Sequence, residues 1–143
     1  MKDVEFMTAR DKELTLKAWK TFVKHGFKFE HFTDRLYKHL ILHCSFIAHF
    51  NRAGFYATYF RDPEATIKFL GQFDTDKGCR SIEYGDHYWI RSENYNDINM
   101  ALVAALKPSL RGHYARLSNE AKSQDLSIAK ALLAKHGLTA SFV

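Results

Sequence analysis

A chain of 143 residues, 46% hydrophobic and 15% aromatic, is enough for one domain with a real core. Its net charge of +5 at pH 7 is a mild excess spread along the whole length, which reads as a solvated surface rather than a nucleic-acid footprint. The lone cysteines Cys44 and Cys79 argue against a disulfide framework, and no leader-like start or apolar run of the ~20 residues a membrane helix needs is seen, so a cytoplasmic protein without a membrane segment is expected.

Residues 1–7 read as a short lead-in, and Thr8, followed by charged residues and an apolar repeat, reads as a helix start. That helix should run to about His25. Leu16, Trp19 and Val23 share one face, Arg10, Glu13, Lys17, Lys20 and Lys24 the other, and Gly26 is placed to stop it. Residues 27–50 contain no proline or glycine, and Phe32, Leu36, Leu40, Ile47 and Phe50 share a helical face with His39 and His43. The pattern predicts one long helix, or two joined at a bend near residues 43–45, with 40–50 buried because it is apolar nearly all round. Asn51 to Gly54 breaks the pattern. Asp62 as cap and Pro63 in the first turn then open a short helix to about Phe73.

Residues 79–91 admit two readings. Ile82 and Tyr84 against His87 and Trp89, across Gly85-Asp86, fit a two-residue hairpin, while 77–89 also fits an irregular helix weakened by Gly78 and Gly85. The local pattern favours the hairpin. Asn94 or Asn96 can cap the next helix, whose apolar set Ile98, Leu102, Val103 and Leu106 continues past Pro108, a kink or restart, to Leu110 and Leu117. Ser118 then caps a last helix over 119–136, stopped by Gly137. The expected fold class is all-α, a bundle of about six to seven helices in a single domain over 1–143, with a short hairpin near 79–91.

Eight histidines stand out, because imidazole is both a proton switch and a metal ligand. His39 and His43, one helical turn apart, could hold a metal between them, but spacing fixes no third ligand, which favours a core or surface role. His31 and His49 are too far apart along a helix to share one. Glu83, Asp86 and His87 could form an acid/base group, yet no nucleophile, zinc or phosphate-loop motif supports a reaction. The lysine stripe of the first helix carries Glu13 and no aromatic platform, so it reads as a solvated face.

Several segments resemble the globins. Asp11-Lys12-Glu13-Leu14 with Ala18-Trp19-Lys20 is similar to the globin first helix, and His31-Phe32-Thr33-Asp34-Arg35-Leu36-Tyr37 to the second helix of bacterial single-domain globins and flavohaemoglobin haem domains. Phe50-Asn51 sits where those chains carry a haem-stacking phenylalanine, Tyr95 with residues 101–106 resembles the penultimate helix, and residues 119–133 resemble the last. The resemblance implies a haem held through the iron ligand His87, eight residues before Tyr95 where the family spacing is about ten. It further implies stacking by Phe50 or Phe46, an apolar wall of Leu102 and Leu106, and Thr33 where many bacterial globins have tyrosine. His39 and His43 could supply a sixth ligand, and Tyr59 or Asp62 could fall at the other distal position.

Departures are a missing proline at the third short helix, about three added residues before Phe50, and a short segment between Phe73 and His87. The implied function is binding of a diatomic gas, oxygen or nitric oxide, as carrier or sensor, or peroxidase or dioxygenase chemistry. Because no reductase domain accompanies the chain, binding or sensing is favoured over turnover. A homodimer is compatible with this reading. The competing readings are a structural His87 packed beside Ile82 or Trp89 without metal, and a cofactor-free helical module with a basic surface for an anionic or protein partner.

Overall fold

The computed structural model describes residues 7–43, 51–74 and 89–138, and every regular element among them is helical. Helix α1 (Ala9–Lys24) opens on a capping box: the Thr8 hydroxyl accepts from the Asp11 backbone N–H at 3.1 Å and the Asp11 carboxylate accepts from the Thr8 N–H at 3.2 Å. It closes on a Schellman turn in which Gly26 N–H donates to Val23 and Phe27 N–H to Phe22, with both Gly26 (φ 75°) and Phe27 (φ 65°) left-handed. The Phe27 ring then packs edge-on against Phe22 at 5.3 Å, the apolar contact that accompanies this turn.

The structure divides the predicted 27–50 helix. A 3-10 turn occupies Phe29–His31, and helix α2 (Asp34–His43) starts afresh because the Thr33 hydroxyl accepts from the Leu36 N–H at 3.2 Å and caps it. The predicted bend and the buried 44–50 stretch lie outside the described residues. Asn51, read from the sequence as a break, instead caps helix α3 (Arg52–Tyr59) by accepting from Gly54 N–H at 2.7 Å. Helix α4 (Pro63–Gly71) follows with Asp62 as cap and Pro63 at its first turn, as its sequence predicts.

Helix α5 (Trp89–Leu106) corrects the hairpin over its last residues, since 89–91 are helical; residues 75–88 lie outside the description. Asn94 and Asn96 are interior to α5 rather than caps. Pro108 sits in a 3-10 turn, Lys107–Ser109, from which helix α6 (Leu110–Lys135) restarts, so Ser118 is helix interior: the break its cap would need has already been made ten residues earlier. Gly137 (φ 70°) ends α6 in a second Schellman turn, with Leu138 N–H donating to Leu133 at 2.8 Å.

Helix α1 packs on α2 and α5, α3 on α2 and α4, and α4 on α6. Trp19 is fully buried, stacks on Phe73 at 5.1 Å, and donates its indole N–H to the Leu102 carbonyl at 2.9 Å, which fixes α1 across α5. Around it Phe22, Phe32, Phe55, Phe60 and Phe69 form a continuous aromatic core. Each such side chain stabilises the fold by roughly 1.5–3 kcal/mol through burial. Lys12 and Asp97, 3.1 Å apart, join α1 to α5 at the surface.

Candidate functional site

Of the six side chains expected to make a haem pocket, His87, Phe46 and Phe50 lie outside the described residues. Leu102 and Leu106, one turn apart on α5, are buried as their spacing predicts, within the core that α1 and α5 share. Thr33 stands apart from them. It is exposed, caps α2, and lines an open groove on the outer side of α1 with Lys17, His31 and Arg35. The structure therefore brings the two leucines together in the interior and places Thr33 at the surface.

The two distal candidates also part company. Tyr59 is half-buried on α3, its ring 4.7 Å from Phe55 and 5.5 Å from Phe69, whereas Asp62 is exposed and its carboxylate accepts from Ala65 N–H at 3.1 Å.

The chief polar feature of the interior is one the sequence did not pair. His39 on α2 is buried, and its Nε2 lies 2.7 Å from the Oδ1 of Asn99 on α5, which is itself fully buried. An amide oxygen only accepts, so the bond requires the imidazole to carry its hydrogen on Nε2. The bond links two helices across the core, where a buried polar group left unsatisfied costs about 1–3 kcal/mol. The signal was present in part: Asn99 falls at the head of the apolar repeat Asn99, Leu102, Val103, Leu106, a polar residue on a buried stripe. Its partner was not readable, because nothing local relates α5 to α2.

His25 and His31, six residues apart and separated by the Schellman turn, stack at 4.1 Å with 18° between their planes. Stacked rings present their faces to each other while their lone pairs lie in the ring planes, so this is a packing contact rather than a chelate. Among the described residues no cluster of three or more His, Cys, Asp or Glu side chains is spaced to hold a metal ion, and no helix is long and apolar enough to cross a membrane. Arg52 closes the outer edge of the aromatic core, donating to the Phe32 carbonyl at 2.8 Å with its guanidinium 4.5 Å from the centre of the Phe29 ring.

Compared with protein-family models, with curated proteins and with solved structures, the chain matches none of them.

Proposed function

We propose that the chain is a globin-like haem protein that holds iron through His87 and binds a diatomic gas, oxygen or nitric oxide, as carrier or sensor. The observation that carries this reading is the buried His39–Asn99 bond between α2 and α5. Those two helices are the ones that adjoin, in sequence, the segments bearing the expected haem contacts: α2 ends three residues before Phe46, and α5 begins two residues after His87. Apart from His39 and Asn99, the side chains these helices bury, Leu36 and Leu40 from α2 and Ile98, Leu102, Val103 and Leu106 from α5, are apolar, which suits a flat, largely apolar macrocycle.

The donor chemistry fits the group. His87 would offer an imidazole nitrogen to the iron, Phe46 and Phe50 would offer aromatic faces to the macrocycle, and Leu102 and Leu106 would offer apolar side chains beside it. Bound there, haem iron would supply reversible coordination of the gas. With Nε2 engaged by Asn99, His39 supports the helix pair rather than reaching for a ligand through that nitrogen.

Hemin titration of the full chain, followed by visible absorption in the oxidised and reduced forms, tests the proposal. A sharp band saturating at equimolar hemin and abolished by His87→Ala, with far-UV circular dichroism unchanged, is expected. A broad band without an equimolar end point, or one identical in His87→Ala, overturns it.

A further inference from the structure

The turn that ends α1 opens onto a cleft of about 320 Å³ walled by α3, the start of α4 and α6. Three cations line it, Lys28, Arg61 and Arg116, against the single carboxylate of Glu120. Lys28 and Arg61 are exposed and, among the described residues, neither is paired with an acid. Asp62, next in sequence to Arg61, is committed to the cap of α4.

Arg116 is held in place from several sides. One terminal nitrogen donates to Glu120 at 2.9 Å, the other to Nδ1 of His113 at 3.2 Å, and its guanidinium lies beside Gly26, 3.6 Å from where a Cβ would stand. His113 is the acceptor there, and burial first and the Arg116 charge second hold its pKa below the ordinary histidine value. A guanidinium carries five N–H donors, so after these two bonds the fork still has donors to offer and little conformational freedom to lose on using them. The floor is equally fixed: Phe27 is buried in a left-handed backbone conformation, and its carbonyl accepts from the Tyr56 hydroxyl at 2.6 Å. A strained aromatic residue persists only where its surroundings over-determine it, and here that rigidity falls at the lining of a cation-rich cleft.

We propose that this cleft is a binding site for a phosphate dianion, free or carried by a small organic molecule, with Arg116 as the preorganised fork and Arg61 and Lys28 closing on the ligand from the rim. Planar guanidinium groups recognise phosphate oxygens in pairs, the surplus of cations matches a doubly charged ligand, and the volume admits a small molecule rather than a polymer. The site is on the α3–α4–α6 side of the molecule and does not depend on haem being bound.

Isothermal titration of the full chain with inorganic phosphate, pyrophosphate and adenosine monophosphate, at low and high salt, tests it. Saturable single-site binding is expected, weakened at least about tenfold by Arg61→Gln and by Arg116→Gln, each of which removes a charge-assisted contact. Lys20→Gln, an exposed cation on α1 absent from the cleft's lining, should leave the affinity unchanged. Tighter binding of the nucleotide than of phosphate identifies an organic phosphate as the ligand, and equal binding identifies the free anion. Because Arg61 is exposed and makes no hydrogen bond or ion pair among the described residues, Arg61→Gln should keep the parent's circular dichroism and melting temperature. No saturable binding, or equal losses in Arg61→Gln and Lys20→Gln, overturns the proposal.

Discussion

His113 shows how much one side chain's surroundings can set. Its ring lies 4.7 Å from Phe27, Nδ1 accepts from Arg116, and Nε2, which must then carry the hydrogen, is buried with no hydrogen-bond partner among the described residues. Burial first and the Arg116 charge second hold its pKa below the ordinary histidine value. The unfolded chain therefore binds the proton more readily than the folded one. The neutral ring's contribution is fully present above the unfolded histidine value of about 6.5 and is lost as pH falls through the lower folded value. Urea unfolding midpoints should drop between about pH 7 and pH 5, and drop less steeply in His113→Leu; parallel slopes would count against this account. At Asn99 the expectation is different in kind. Asn99→Ala removes the acceptor 2.7 Å from the Nε2 of buried His39 and should destabilise by about 1–3 kcal/mol in denaturant unfolding; a loss below about 0.5 kcal/mol would show that the bond is not sustained in solution.

Elements are bounded here by short-range chemistry. The capping box at the start of α1 satisfies two backbone and side-chain partners at once, and Thr8→Ala should cost about 1 kcal/mol, read as a lower unfolding midpoint with an unchanged slope. Gly26 ends the same helix at φ 75°, a conformation that costs an L-residue about 1–2 kcal/mol. Gly26→Ala should lose that amount through strain alone, because the new methyl would meet Arg116 at an ordinary 3.6 Å. A stability equal to the parent's would mean the turn relaxes out of the left-handed region. The same motif recurs at Gly137, so two of the chain's glycines mark helix ends by the same mechanism.

For the whole molecule, the long helix α6 divides into two energetic halves. Leu110 and Leu117 are buried, while Ile128 and Leu132 are 58% and 54% exposed. Leu117→Ala should therefore cost about 2–5 kcal/mol and Ile128→Ala less than about 0.5 kcal/mol, measured by the same denaturant series. Similar costs at both positions would place Ile128 against a part of the chain or a second copy that covers it. The core itself depends on contacts between distant segments, above all Trp19 with Phe73 and with the Leu102 carbonyl, so α1, α4 and α5 should unfold together rather than in stages.

The sequence by itself determined the helical class, the span of α1, the opening of α4, both glycine stops and the burial of Leu102 and Leu106. These features are legible because caps and turns act over three to five residues and a 3.6-residue period names the buried face. It ran α2 together with the residues before Thr33 and read a break where α3 begins, because Thr33 and Asn51 act as caps at points where the apolar pattern suggests continuity or a break. Thr33 was in addition assigned by resemblance to a ligand pocket, although a threonine directly before Asp34 already carried the local signature of a cap. Only the tertiary structure decided that His39 meets Asn99, sixty positions on, that His25 stacks on His31, and that Arg61 and Arg116 share one cleft. Local periodicity says which face of a helix turns inward; which other helix it meets there is set by packing between segments far apart in the chain.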